Sequence, residues 1–349
     1  MSFDLTNMTI NPEEAKNISQ GVYELAFAKS ELANNHVIIP GIKYKTQIPF
    51  ASGFGLMGKK ITGCKTTPDG TLSFSEKVWS PEMVGFRVEL CSTEIDQDFK
   101  LFQRQVKALD WFNEGDDEVM GYITQRGVEA VSEMVDRLVW FGDTDADIAL
   151  SGGTLTAGVD PKYFDAIDGI WKQVYADVLA GKEKVSITEN TLATTALQLV
   201  LAEDTALKVM RGLFAKVDPR ARQSGDLKFF VSDSLALNFY DYIEDKSLGF
   251  SLSVAEDGKD VFKYRGIPIV IMYQWDRQIA ANFDNGTTLD KPHRALLIAP
   301  SNMPIGTLDE GSLSEVKSFY DEYNEINVMK ANVIMDVKVL DTKMYAVAY

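Results

Sequence analysis

Apolar residues recur at helical spacing in two segments of the N-terminal half of the chain. Residues 12–33 begin with Pro12, directly after Asn11. An asparagine followed by a proline at the first helical position is typical of a helix start. Residues 119–141 carry a longer apolar stripe, and Gly142 follows as a stop signal. The stripe consists of Val119, Ile123, Val131, Met134, Val135 and Leu138. The pattern predicts a helical N-terminal arm over residues 1–35 and a spine helix about 35 Å long at 1.5 Å per residue.

Between these two helices, short β-type runs alternate with turn signals. The run VIIPGIKYKTQIPF begins at Val37, and the run KTTPDGTLSFSEKVWSP ends at Pro81. Glycines, a Pro-Asp-Gly turn and a Gly-Thr pair separate the apolar stretches. The segment is therefore predicted to be an extended β-hairpin over residues 36–82 with a long glycine-rich end.

The second half of the chain mixes helical and strand patterns. Residues 188–217 and 234–246 are predicted to be helical, and 226–233, 261–274 and 293–301 contain apolar strand runs. The last predicted strand is expected to bury one face, because every second residue is apolar. The buried positions would be Val333, Met335, Val337 and Val339, and those between them are Ile334, Asp336 and Lys338. The fold class that follows is α+β.

The composition is that of a folded globular protein with an acidic surface. Hydrophobic residues make up 45% of the chain, charged residues make up 25%, and the formal net charge is -16. This charge argues against a chain whose whole surface seeks nucleic acid or an anionic membrane. Because the chain lacks both a membrane-length apolar run and the pattern of a secretion signal, we expect a soluble protein with no membrane partner.

Residues for metal or acid–base chemistry are sparse. Cys64 and Cys91 are the only cysteines, neither lies in a C-x-x-C pair, and His36 and His293 are the only histidines. A disulfide framework, a zinc site and a histidine triad are therefore not expected. We predict that the histidines are packing or surface residues, and that the chain has no catalytic residue, cofactor or metal site.

Two motifs imitate ligand loops without the necessary context. Gly53, Gly55 and Gly58 form a G-x-G-x-x-G string, but no helix pattern follows to meet a phosphate. Residues 143–154 copy the start of a calcium loop, yet lack its turn glycine and its final glutamate. A nucleotide-dependent cytosolic enzyme that uses residues 53–60 is kept as the alternative from another functional class.

Charge is unevenly distributed along the chain. No acidic residue lies between Glu31 and Asp69, where the basic residues are Lys43, Lys45, Lys59, Lys60 and Lys65. Acidic residues concentrate on and just before the spine helix, among them Asp116, Asp117, Glu118, Glu129, Glu133 and Asp136. The hairpin is therefore a basic segment and the spine an acidic one.

This charge pattern suggests how the hairpin could be stabilised. A long hairpin is not stable alone in water, so we predict that it lies on a second copy of the chain, with its lysines over that copy's acidic spine. Apolar residues of the hairpin would supply most of the adhesion, for example Phe50, Phe54, Leu56 and Met57. The alternative is that the acidic residues form an ordinary solvated helix face.

The order of these elements resembles the major capsid protein of tailed bacteriophages, the Hong Kong 97 fold. The stretch YRGIPIVIM, with Gly266 and Pro268, is similar to a late strand of that family. Gly142 and Asp143, followed by Gly169, match its passage from the spine helix through a Gly-Asp loop. LIAPSNMPIGT resembles the strand and turn before its last elements.

The resemblance implies a division into an N-terminal arm and three further parts. Residues 36–82 would form the extended loop, residues 83–185 with 325–349 the peripheral domain, and residues 186–324 the axial domain.

The resemblance also implies the function. Such subunits form hexamers and pentamers that close into an icosahedral shell around double-stranded DNA, without sequence-specific binding. The expected partners are further copies, a separate scaffolding protein, a portal and decoration proteins, with assembly in the bacterial host cytoplasm and a final place in the virion capsid. An encapsulin-type compartment shell is the nearest alternative.

Overall fold

The computed structural model describes residues 35–42, 44–51, 74–91, 130–146, 155–245, 253–254, 260–261, 263–308, 317–321 and 326–349. The predicted N-terminal helix, the end of the hairpin with its glycine string, and the first part of the spine helix lie outside these residues. Within them the chain forms seven α-helices and two main β-sheets. The described part therefore has both helices and sheets, as the sequence predicts.

The helices are numbered in chain order. They are α1 (130–141), α2 (Ile170–Leu179), α3 (Thr195–Gln198), α4 (Thr205–Lys216), α5 (Pro219–Ser224), α6 (Asp233–Asp245) and α7 (Tyr273–Asn282). Short 3₁₀ turns cover Pro161–Tyr163, Thr188–Thr191 and Pro300–Asn302.

The strands are numbered in the same way. They are β1 (Ile38–Ile39), β2 (Thr46–Ala51), β3 (Phe74–Trp79), β4 (Glu82–Cys91), β5 (Lys184–Val185), β6 (Lys228–Ser232), β7 (Ser253–Val254), β8 (Asp260–Val261), β9 (Lys263–Tyr264), β10 (Ile267–Met272), β11 (Ala295–Ile298), β12 (Ile305–Thr307), β13 (Lys317–Asp321), β14 (Ile326–Val337) and β15 (Ala346–Ala348).

The first main sheet is built around the long strand β14. One edge of β14 pairs antiparallel with β4 along ten positions, from Ile326 opposite Cys91 to Met335 opposite Glu82. Its other edge pairs with β13 and then with β12, and β1 adds to β12 in parallel. Segments that are far apart in the sequence therefore meet on one strand.

The second main sheet has the order β5-β15-β11-β6-β10-β9. Helices α4 and α6 cover one face through a core that includes Leu213, Phe229 and Leu297. Helices α1, α2 and α7 cover the other face, and their core continues into the first sheet through Val333 and Val337. The predicted buried face of the final strand is confirmed, since Val333, Met335, Val337 and Val339 are all buried.

One predicted helix is wrong. Residues 188–217 do not form a continuous helix but a 3₁₀ turn, the short α3, and α4. The reason lies in tertiary contacts: Asn190 Nδ2 donates to the His293 carbonyl (2.7 Å), and Gln198 Nε2 donates to the Leu289 carbonyl (3.1 Å). These side-chain amides fasten the segment to a distant loop, which local helical propensity does not anticipate.

The two main sheets do not follow the predicted domain boundaries. The proposed axial segment 186–324 contains β12 and β13, which pair within the sheet built on β14. The proposed peripheral segment 325–349 contains β15, which lies within the second sheet, between β5 and β11. The chain crosses between the sheets more than once, so the division into domains stays a proposal.

A close backbone crossing joins the end of α1 to the start of α2. Gly169 N donates to the Gly142 carbonyl oxygen at 2.8 Å. A methyl group on Gly142 would lie 2.4 Å from the Ile167 carbonyl oxygen, and one on Gly169 would lie 2.6 Å from the Gly142 nitrogen. Glycine is therefore required at both positions because a side chain would collide with backbone atoms, and not because the backbone turns there.

Three indole rings form the centre of the core beside this crossing. The ring centre of Trp275 lies 4.8 Å from that of Trp140 and 5.0 Å from that of Trp171, both edge to face. All three side chains are buried. Because aromatic pairs of this geometry add about 0.5–1.5 kcal/mol each beyond area burial, the cluster fixes α1, α2 and α7 relative to one another.

Both histidines are packing residues, as predicted. His36 Nδ1 hydrogen bonds to the Met303 carbonyl oxygen at 3.0 Å, and its ring contacts Trp140 edge to face. His293 lies between the Ser234 hydroxyl and the Gln198 carbonyl, each at 2.7 Å. Burial lowers the pKa of His36 to about 4, and burial also lowers the pKa of His293.

These lowered pKa values predict acid sensitivity. In the unfolded chain a histidine takes up a proton near its ordinary pKa of about 6.5, whereas the folded chain holds His36 neutral down to about pH 4. The contribution of neutral His36 to the free energy of unfolding is therefore fully present above about pH 6.5. It falls as the pH drops from about 6.5 towards 4. We expect the melting temperature of His36→Gln to depend less on pH between 7 and 4 than that of the wild type. Parallel pH profiles for the two proteins would contradict this assignment.

Candidate subunit interface

The described base of the hairpin is a two-stranded ribbon with exposed side chains on both faces. β2 and β3 pair antiparallel from Thr46 opposite Trp79 to Ala51 opposite Phe74, which confirms the predicted hairpin pairing. Thr46 and Gln47 point to opposite faces of the ribbon, and both are exposed. A β-ribbon with two exposed faces is only marginally stable in water. Such a ribbon is suited to pack on another surface.

A tightly packed anchor holds the base of the ribbon to the first sheet. Trp79 is only 2% exposed and packs with Ile42 against Gly306 of β12. A methyl group on Gly306 would lie 2.8 Å from Ile42 Cδ1 and 2.9 Å from the Trp79 ring. Ile42 N donates to the Thr307 carbonyl oxygen at 2.9 Å. Both strands that lead into the ribbon are thus fixed at the same point.

A buried carboxylate completes the anchor. Asp336 of β14 is 1% exposed, and its Oδ2 accepts a hydrogen bond from Ser80 N at 2.6 Å. Burial raises the pKa of Asp336, while Lys338 Nζ at 3.1 Å and the hydrogen bond from Ser80 oppose that rise. The carboxylate therefore satisfies a backbone donor where the chain leaves the ribbon. This burial is not what the alternating pattern predicted for position 336.

Few of the predicted interface residues lie in the described part of the chain. Lys45 lies there and is exposed. Glu133 pairs with Arg277 of its own chain, and Asp136 is partly buried with an interaction partner. The other predicted positions lie outside the described residues, namely Lys43, Phe54, Leu56, Met57, Lys59, Lys60, Lys65, Asp116, Asp117, Glu118 and Glu129. The contact between hairpin lysines and spine acids therefore stays a prediction.

One lysine bridges three carboxylates of the aspartate-rich loop after α1. Lys172 Nζ lies 2.6 Å from Asp143 Oδ1, 2.7 Å from Asp145 Oδ2 and 2.9 Å from Asp168 Oδ1. Burial alone would raise the pKa of Asp168, but the hydrogen bonds from Lys172 and Thr144 outweigh burial and lower it. The ammonium group thus joins the loop to the first turn of α2.

The anchor residues were missed by sequence reasoning. The sequence pattern places Trp79 in a strand, Gly306 in a turn and Asp336 on the solvent-facing side of a strand, and it does not bring the three together. The one available signal was Asp336 itself, an aspartate between apolar residues of the strand and two positions before Lys338. In the described residues, no helix is long and apolar enough to cross a membrane, and no group of three or more histidine, cysteine or acidic side chains is placed to hold a metal ion.

Several solved structures that resemble this chain come from phages. A chain from the satellite phage P4 procapsid including the size determination (Sid) protein has a TM-score of 0.53 at 11% identity, over 94% of this chain and 98% of that chain. A chain from Gordonia phage Cozz has a TM-score of 0.52 at 13% identity, over 91% and 85%. A chain from Mycobacterium phage Ogopogo has a TM-score of 0.51 at 15% identity, over 91% of each.

These matches cover nearly the whole length of both chains in each pair, so they concern the complete architecture and not one motif. No protein-family model and no curated protein sequence matches the chain. At such low identity the likeness establishes the fold, and it confirms the expected α+β class.

Proposed function

We propose that this chain, which has the Hong Kong 97-type capsid fold, is the major capsid protein of a tailed bacteriophage. Its copies would form hexamers and pentamers of an icosahedral shell around double-stranded DNA. The net charge of -16 supports the proposal, because a wall that faces densely packed DNA must not adsorb it.

The observation that carries this proposal is the anchored ribbon. Its base is fixed by Trp79, Gly306 and Asp336, while Thr46 and Gln47 are exposed on its two faces. A protein that acted as a monomer would expose this ribbon without gaining stability from it. In a shell the ribbon can lie on a neighbouring copy, and the stiff anchor sets its direction.

The same proposal also covers catalysis, the place of assembly and the other partners. The chain would have no catalytic role and no cofactor, and would assemble in the bacterial cytoplasm with a separate scaffolding protein. A portal and decoration proteins would complete the particle.

The proposal is tested by expressing the full chain in bacteria and examining the purified protein by sucrose-gradient sedimentation and negative-stain electron microscopy. We expect fast-sedimenting shells, or tubes and rings of capsomers. A monodisperse monomer or dimer at all concentrations, with or without a co-expressed scaffold, would contradict the proposal. Nucleotide binding by that monomer would favour the enzyme alternative.

A further inference from the structure

Two arginines stack on one aromatic ring beside the β9 edge of the second sheet. Phe214 lies near the end of α4, Arg222 lies on α5, and Arg265 lies in the turn between β9 and β10. The guanidinium carbon of Arg222 is 4.9 Å from the centre of the Phe214 ring, and that of Arg265 is 4.8 Å from it. Three separate segments therefore bring two positive charges to a single ring.

These two positive charges lack an acidic partner in the described part of the chain. Neither guanidinium group is paired there with a carboxylate, and both arginines are exposed. Arg220 on the same helix differs, because its Nη2 lies 3.0 Å from Asp218 Oδ2. Like charges that share one ring repel each other, and an anion bound to both would offset that repulsion. The pair therefore has the character of an anion-binding site.

The backbone at Arg265 supports a role for its side chain. Arg265 and Gly266 form the two-residue turn that joins β9 to β10, with φ angles of 52° and 83°. Turns of this kind favour asparagine or glycine at the first of the two positions, because most other side chains are strained in the left-handed region. The arginine is therefore explained by what its side chain binds and not by the needs of the turn.

A buried aromatic cluster holds this surface in place. Tyr264, which precedes the turn, is 7% exposed, and the Arg265 guanidinium carbon lies 5.5 Å from its ring centre. The Tyr264 ring centre lies 5.8 Å from that of Phe229 and 6.5 Å from that of Phe239, both edge to face. Phe214 is half-buried against the same core. The two guanidinium groups thus stack on a fixed aromatic surface, which leaves their N–H donors available to a ligand.

The chemistry of two neighbouring guanidinium groups favours a polymer of phosphates. Each guanidinium group presents parallel N–H donors that match two oxygens of one phosphate. A single carboxylate has oxygens for only one of the two groups, whereas successive phosphates of a DNA strand can occupy both. One such site per copy, in a chain of net charge -16, leaves the wall of a shell repulsive as a whole and gives it a defined point of contact.

We propose that Arg222 and Arg265, stacked on Phe214, bind the phosphate backbone of enclosed double-stranded DNA. The contact reads no base sequence, since both donors are directed to phosphate. The β9 edge of the second sheet would then face the interior of the shell. This inference rests on the proposed shell function and adds a point at which the wall binds its contents.

The test measures binding of a short fluorescein-labelled DNA duplex to the unassembled full-length chain, by fluorescence anisotropy over a range of salt concentrations. The variants are Arg222→Ala, Arg265→Gly and the double variant. Arg220→Ala is the matched control, because it removes the same charge from the same helix but from a guanidinium group that Asp218 already binds. Melting temperatures check the fold, and Arg265→Gly should not lower the melting temperature, because glycine relieves the backbone strain at this position.

Each single variant should weaken DNA binding by about tenfold, and the slope of log Kd against log salt concentration should fall by about one for each arginine removed. Arg220→Ala should bind DNA as the wild type does. Poly-glutamate at the same concentration of charge should not displace the duplex.

Three results would overturn the inference and leave the proposed function standing, as long as the wild type forms shells. They are the absence of DNA binding by the wild type, equal binding by the wild type and the double variant, and displacement of the duplex by poly-glutamate. The last result would assign the arginines to an acidic protein surface. Failure of the wild type to assemble would overturn both the inference and the proposed function.

Discussion

Replacing Gly169 by alanine should lower the free energy of unfolding by about 3 kcal/mol or more, and Gly142→Ala should have an effect of the same size. The added methyl group at position 169 would lie 2.6 Å from the Gly142 nitrogen and 2.8 Å from the Leu138 carbonyl oxygen. Both atoms are backbone, so no side-chain rotation can relieve the overlap. The end of α1 and the start of α2 must move apart instead, and the three tryptophans pack directly beside them. Denaturant unfolding, followed by tryptophan fluorescence, measures the loss.

Gly286→Ala is the matched control for this pair. Gly286 has a φ of 86°, and a methyl group there would meet no atom within 4 Å. Its substitution should cost only the left-handed backbone strain, about 1–2 kcal/mol. If Gly169→Ala and Gly286→Ala were equally destabilising, the close backbone crossing would not be the reason for glycine at positions 142 and 169.

Trp79→Ala should destabilise the chain by about 3–5 kcal/mol and abolish assembly. The indole is buried against Gly306 and Ile42, so its removal leaves a cavity where the ribbon joins the first sheet. Gly306→Ala should act in the same direction by displacing the indole from the opposite side, at about 1–3 kcal/mol. Thermal unfolding and gradient sedimentation of each variant measure the two effects.

Tyr273→Ala serves as the control for the loss of a large aromatic side chain. Tyr273 is 58% exposed, so its truncation should change stability by no more than about 0.5 kcal/mol. Gly306→Ala provides the sharper functional test, since it retains the indole and most of the stability. Normal shells formed by Gly306→Ala would show that the orientation of the ribbon does not matter for assembly.

Local patterns predicted much of the fold because they depend on neighbouring residues. The buried face of α1, with Val131, Met134, Val135 and Leu138, follows directly from helical spacing, and its end at Gly142 is confirmed. The strands β6, β10 and β11 lie within the predicted apolar runs. The β2–β3 pairing follows from two runs separated by turn signals. In each case the periodicity is set over fewer than about twenty residues.

The incorrect helix prediction has a long-range cause. The segment from Thr188 to Val217 breaks because Asn190 and Gln198 bond to backbone about a hundred positions away, at His293 and Leu289. The sequence made no prediction of sheet membership for β12 and β15, which depends on the distant strand that each one meets. Neither kind of contact leaves a local periodic signal.

Prediction of the candidate interface was limited for a different reason. Charge along the sequence identified a basic hairpin and an acidic spine, but exposed charges do not reveal which surface they face. Glu133 illustrates this, because its partner in the structure is Arg277 of the same chain. The anchor at Trp79, Gly306 and Asp336 depends on three separate segments meeting, so no single stretch could indicate it.

The most direct test of the central claim is hydrogen–deuterium exchange of the backbone amides in β2 and β3, compared between unassembled subunits and assembled particles. If copies of the chain build a shell in which each ribbon lies on a neighbour, amides of Thr46–Ala51 and Phe74–Trp79 should exchange much more slowly in the particles. Amides of the buried strand β11 should be equally protected in both states. Ribbon amides that exchange at the same rate in assembled particles as in free subunits would contradict the account.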